Sequence, residues 1–142
     1  MSVYEIYNHK LFELITLNRC DFSNASLHQL DEKLFMFKHI EILDLSENQL
    51  YALPDAISNL KNLKTLILSD NILRTIPEAI GSLKKLENLY ISNNKLTMLP
   101  DSIVKLTQLK WLGLAENDDL VLSPLQKKWI SILKSKGCKV FV

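Results

Sequence analysis

Apolar residues recur along this chain at a fixed long period, rather than at the 3.6-residue spacing of one long helix. Ile40, Leu63, Leu86 and Leu109 stand 23 residues apart. Each opens the same pattern, continuing to Leu43 and Leu45, Leu66 and Leu68, Leu89 and Ile91, and Leu112 and Leu114. These pairs alternate at period two, which predicts short strands with one buried face. Three residues beyond each pair comes an asparagine, Asn48, Asn71, Asn94 or Asn117. A leucine follows in the first three copies, at Leu50, Leu73 and Leu96; in the fourth, Leu120 stands one place late. The return half repeats as Leu53-Pro54-x-x-Ile57-x-x-Leu60, Ile76-Pro77-x-x-Ile80-x-x-Leu83 and Leu99-Pro100-x-x-Ile103-x-x-Leu106. Proline fixes φ and removes a donor, so an extended or 3₁₀ return is predicted in place of a long helix.

An earlier, degenerate copy aligns Phe12, Ile15, Leu17, Cys20 and Phe22, giving a first repeat of 28 residues with Cys20 at the asparagine position. The single domain then comprises an N-terminal cap (1–11), repeats 12–39, 40–62, 63–85, 86–108 and 109–122, and a C-terminal cap (123–142). Residues 1–11 read as a strand or a helical turn, while Leu27, Leu30 and Leu34 predict a helix across 26–37. In the last segment, Ser123-Pro124 marks a helix start, Leu125, Trp129, Ile132 and Leu133 share a face, and Gly137 ends it. Residues 138–142 then predict a strand parallel to the last repeat strand. Caps at both ends predict a self-contained unit.

Stacked in parallel at about 4.8 Å, such strands form one sheet over a continuous core. Each asparagine amide can serve backbone groups that the turn leaves unpaired, so Asn48, Asn71, Asn94 and Asn117 are expected to form a buried ladder. Over roughly residues 12–122 the pattern resembles the leucine-rich repeat family, in its 23-residue form. The L-P-x-x-I-x-x-L half is similar to Ras-suppressor-like, plant Ras-group-related and bacterial members. The resemblance implies an α/β solenoid: a short, curved, right-handed superhelix with a parallel concave sheet. Its convex side would carry 3₁₀ or extended turns and short helices, and a helix-strand cap would close it. It also implies that Cys20 packs in place of asparagine, and that the concave face binds protein without catalysis.

Composition narrows the partner. With 17 Lys+Arg against 16 Asp+Glu and a formal charge of +1, the chain has no global pull toward nucleic acid. The balance conceals a division: residues 125–142 hold five lysines and no acid, leaving 12 basic against 16 acidic residues in the first 124. A secretory n-region is absent, and no apolar run is long enough to insert in a membrane, which predicts an intracellular protein; secretion by a non-Sec route is the alternative. Two distant cysteines, Cys20 and Cys138, suit a reducing compartment.

No catalytic arrangement emerges. Gly81, Gly113 and Gly137 are too dispersed to cradle phosphate, His9, His28 and His39 lack metal-ligand spacing, and Cys138 has no histidine nearby. No cofactor, metal or enzyme activity is expected. Asn24-Ala25-Ser26 matches a glycosylation acceptor, read as coincidental without a signal peptide.

Period-two alternation specifies what the sheet presents to solvent. The expected columns are Leu14, Ile42, Thr65, Asn88 and Trp111; Thr16, Asp44, Ile67, Tyr90 and Gly113; Asn18, Ser46, Ser69, Ser92 and Ala115; and Arg19, Glu47, Asp70, Asn93 and Glu116. Ile67, Tyr90 and Trp111, with Ile42 beside them, form the candidate anchors, and Gly113 is expected to leave room for a partner's side chain. Asp44, Glu47, Asp70 and Glu116, with Asn93, would attract a partner's basic groups. Alternatively, Trp111 packs under the cap near Trp129, the acidic column is a solvated face, or the apolar patch pairs two copies as a weak homodimer. Lys61, Lys64, Lys84, Lys85 and Lys110 near the repeat junctions read as a solvated face. The leading reading is an adaptor that binds protein. A microbial effector acting on a host signalling protein, or a structural repeat without a ligand, are the alternatives.

Overall fold

A computed structural model describes residues 3–142. Six strands form one parallel sheet in chain order: β1 (Arg19–Asp21), β2 (Ile42–Asp44), β3 (Thr65–Ile67), β4 (Asn88–Tyr90), β5 (Trp111–Gly113) and β6 (Lys139–Phe141). Helix α1 (Val3–Thr16) precedes them, and α2 (Pro124–Ser135) lies between β5 and β6. The return segments are single 3₁₀ turns, Glu32–Met36, Asp55–Asn59, Glu78–Ser82 and Asp101–Lys105. This is the α/β solenoid that the repeat pattern implies. No helix among the described residues is long and apolar enough to cross a membrane.

Register is constant: Leu43 pairs with Leu66, Leu66 with Leu89 and Leu89 with Leu112. Equivalent leucines therefore stack and are fully buried, as are Ile57, Leu60, Ile80 and Ile103 on the return side. Pro54, Pro77 and Pro100 sit immediately before their 3₁₀ turns with extended ψ of 151–154°. Such a conformation suits proline and turns the chain without the width of an α-helix. The turns stack closely. A Cβ on Gly81 would lie 2.6 Å from both the Cβ and the backbone oxygen of Ser102.

The asparagines join successive coils. Asn71 donates from Nδ2 to Leu45 O (2.9 Å) and Leu68 O (3.0 Å), while its Oδ1 accepts from Leu50 N (2.9 Å). Asn48, Asn94 and Asn117 repeat the arrangement. Each buried amide thus satisfies backbone groups of its own coil and of the coil before.

The first coil departs from the expected register. Residues 3–16 form α1, leaving Phe12 and Ile15 exposed instead of in a strand; Met1 and Ser2 of the expected cap lie outside the described residues. The strand is five residues later than expected, with Cys20 paired to Leu43 and Asp21 to Asp44. Cys20 therefore fills a leucine position in the core and is not part of the asparagine ladder. Ala25 occupies the asparagine position, and Asn48 Oδ1 accepts from both Ala25 N (3.0 Å) and Leu27 N (2.9 Å). Phe12, Ile15 and Leu17 match the repeat spacing by coincidence and are exposed, whereas Leu14 supplies the buried contact.

Two helical expectations also change. Residues 26–37 contain only the 3₁₀ turn Glu32–Met36, whose cap Asp31 accepts from Lys33 N (2.9 Å). A 23-residue coil leaves no space for more. In α2 the buried face is Gln126, Trp129, Ile130 and Leu133, whereas Leu125 and Ile132 are exposed. The start is as expected: Ser123 and Gln126 form a reciprocal capping box. Gln126 Nε2 also donates to Leu99 O (3.0 Å), which fixes the helix face to the last coil.

Asn71→Ala is expected to cost about 1–3 kcal/mol, since it orphans the buried Leu50 N–H and leaves Leu45 O and Leu68 O with only their bonds from Asn48 and Asn94. Urea unfolding measures this directly. Gly81→Ala should cost about 1–3 kcal/mol by overpacking against Ser102, with unchanged secondary structure.

Candidate functional site

The sheet's register sets the open face. One column runs Arg19, Ile42, Thr65, Asn88, Trp111 and Lys139; the next runs Asp21, Asp44, Ile67, Tyr90, Gly113 and Phe141. In the first coil these positions belong to Arg19 and Asp21, not to Leu14 and Thr16, because the strand lies later in the chain. Ile42, Asp44, Ile67, Tyr90 and Trp111 are all brought together on this face and are half-buried.

The aromatic groups form a row. The Tyr90 and Trp111 ring centres are 5.8 Å apart, and Trp111 stacks on Phe141 at 4.8 Å. Lys139 Nζ lies 5.7 Å from the Trp111 ring centre, a cation–π distance. Gly113, between Tyr90 and Phe141 in its column, is buried, so it does not provide the open notch expected from its lack of a side chain. A Cβ there would come within 3.0 Å of Ser92 Oγ. Trp129 faces the other side of the cap, donating from Nε1 to Leu106 O (3.2 Å). Trp111 therefore packs against the cap strand's Phe141 and not under α2.

The acidic end is differently built. Asp21 Oδ1 accepts from Ser23 N (2.9 Å) and Ser23 Oγ (2.6 Å), and Asp44 Oδ1 accepts from Ser46 N (3.0 Å) and Ser46 Oγ (2.6 Å). The Ser23 hydroxyl, together with its backbone N–H, holds the Asp21 carboxyl below the usual carboxylate range. Glu47, Asp70, Asn93 and Glu116 form the exposed rim where the chain leaves each strand, all at left-handed φ of 52–59°. Asp and Asn tolerate this conformation best among non-glycine residues. Asp70 Oδ1 accepts from Asn93 Nδ2 (2.6 Å), so the rim is cross-linked between coils.

Lysines of the repeat junctions have local partners. Lys64 pairs with Glu41 (3.0 Å), Lys110 with Glu87 (2.8 Å), and Lys85 donates to Asn62 Oδ1 (2.8 Å). Burial pushes the Cys20 thiol up to about 12, assisted by the nearby Glu13 charge, and burial also raises Cys138. Neither environment activates a thiolate. Among the described residues no group of three or more His, Cys, Asp or Glu side chains could hold a metal ion.

Asp21, Ser23, Lys139 and Phe141 were missed by the sequence reading. The first two were detectable as the residues 23 before Asp44 and Ser46. The last two needed the register of the cap strand, which follows Trp111 by 28 residues across α2.

Repeated coils, stacked in register behind a parallel sheet, define a solenoid repeat protein. The chain belongs to the leucine-rich repeat family, whose model matches residues 16–73 and 62–118. A solved leucine-rich repeat protein of Leptospira interrogans is similar, at 38% identity and a TM-score of 0.69, covering 80% of this chain and 28% of that one. The BIR3–SERK2 complex of Arabidopsis thaliana is similar at 38% identity and a TM-score of 0.57, covering 66% and 50%. The ectodomain of the Arabidopsis receptor kinase SOBIR1 gives 26% identity and a TM-score of 0.68, covering 85% and 66%. The chain thus spans less than two thirds of the length of each. No curated protein sequence matches it.

With its thiol near 12 against an ordinary 9, Cys20 carries roughly a thousandfold less thiolate in the folded state at pH 8. Iodoacetamide should therefore label Cys20 only on unfolding; native labelling within tenfold of the unfolded rate would contradict this burial. The raised folded pKa adds stability that is complete below pH 9 and declines between pH 9 and 12.

Proposed function

We propose that the chain is a non-catalytic module that binds a protein partner on the concave face of its sheet. The observation that carries this reading is the Tyr90–Trp111–Phe141 row, which places aromatic surface on a face the solenoid leaves open. Rigid aromatic groups lose little entropy on binding and are frequent anchors of interfaces. Ile67 and Ile42 extend the apolar surface, and Asp44, Glu47, Asp70 and Glu116 steer basic groups toward it, with Asn93 adding an amide. The BIR3–SERK2 structure, similar to this chain over 66% of its length, is itself a complex.

In the proposed role, Tyr90→Ala weakens binding to the purified partner by tenfold or more, the loss typical of a buried anchor. Asp70→Asn, which keeps a residue tolerant of left-handed φ, slows association severalfold at low salt and has little effect at high salt. Lys105→Ala, on the return side, leaves affinity unchanged. Surface plasmon resonance checks all three; full affinity in Tyr90→Ala would refute the site.

A further inference from the structure

Resting on the concave-face reading, the partner's own chemistry can be specified further from the two ends of the second column. Asp21 and Asp44 stand directly opposite each other on neighbouring strands. Like charges in that position destabilise a sheet. Neither carboxylate forms an ion pair within the described residues. Yet each is oriented by two bonds from a serine to its Oδ1, and those bonds leave Oδ2 unused. The arrangement sets two carboxylates side by side, each with one oxygen unused, while Lys10 and Arg19 act on Asp21 only from beyond pairing distance. Further along the column stands Ile67, and beyond it the aromatic row begins at Tyr90.

Strand spacing converts this order into a ligand pattern. From the middle of the Asp21–Asp44 pair to the middle of Tyr90–Trp111 is three strand steps, about 14 Å, with Ile67 halfway. An extended segment crossing the strands advances about 3.3 Å per residue and turns alternate side chains to the same side. Its residues i, i+2 and i+4 therefore span about 13 Å on the sheet-facing side. We infer that the concave face takes an extended polypeptide segment with Arg or Lys at i over Asp21 and Asp44, a small aliphatic residue at i+2 over Ile67, and an aromatic residue at i+4 against the Tyr90–Trp111–Phe141 row. Arginine suits the first position best, since its planar fork can engage two carboxylates. The cations of these columns are Arg19, beside Asp21 on β1, and Lys139, placed over Trp111 at the far end; the paired carboxylates favour a basic over an acidic residue at position i.

The test uses four capped peptides with the whole chain: Gly-Arg-Ser-Val-Ser-Phe-Gly, its versions with Arg and Phe three or five residues apart, and the version with Glu in place of Arg. Each is assayed in both chain directions by isothermal titration. The i, i+4 peptide should bind at least fivefold more tightly than the other spacings in one direction, and the Glu peptide should show no binding. Asp44→Asn, whose amide oxygen can still accept from Ser46, should weaken the i, i+4 peptide about tenfold without affecting thermal unfolding by more than a few degrees. Equal affinity across spacings, binding of the Glu peptide, or no binding by any peptide would overturn the assignment. The broader reading fails separately, only when a purified partner retains full affinity for Tyr90→Ala.

Discussion

The stacking of coils depends on a single polar device, the buried asparagine amide. Parallel strands of three residues offer few backbone bonds, and the sharp turn after each strand leaves N–H and C=O groups facing the core. Asn48, Asn71, Asn94 and Asn117 satisfy those groups across the coil boundary, at 2.9–3.2 Å for the acceptor bonds to Leu27, Leu50, Leu73 and Leu96. An unsatisfied buried amide or carbonyl costs about 1–3 kcal/mol. The ladder therefore fixes register as well as contributing stability: sliding one coil against the next by a residue would orphan several groups together.

Register in turn determines the open face of the sheet. Because β1 to β5 are aligned by the same device, the outward positions form straight columns, and the character of the face changes coil by coil. Its first coils carry serine-held aspartates, its middle carries Ile42 and Ile67, and its last coils carry stacked rings. The cap joins this face: β6 adds Phe141 to the ring row while α2 covers the end of the core with Trp129, Ile130 and Leu133. The rim residues serve both backbone and surface, since the left-handed turns that end each strand also present Glu47, Asp70, Asn93 and Glu116.

Where the repeat is regular, from Ile40 to Asn117, strand positions, buried leucines and outward columns were all legible from spacing alone. The first coil was not, because it lacks both the asparagine and the proline that anchor the others. Without those markers Phe12, Ile15 and Leu17 matched as well as the true positions, and only packing of Leu14 and Cys20 into the core distinguishes a helix there. Gly113 illustrates a second limit. Its missing side chain was visible, but its burial beside the aromatic row depends on Phe141, which reaches this face through a helix and an irregular 28-residue offset. In α2 the helix was legible from Ser123-Pro124, whereas its inward face was not, as Gln126 is buried by bonds to Leu99 and Pro100 that no hydropathy pattern contains.

Photo-cross-linking tests the central claim most directly. A benzophenone side chain placed at Ile42, on the concave face, is compared with one at Ala79, on the return side, in the cells that make the protein. The account predicts that position 42 forms a discrete adduct with another polypeptide and that position 79 does not. A discrete adduct from position 79 alone would contradict it, and would move recognition to the opposite side of the solenoid.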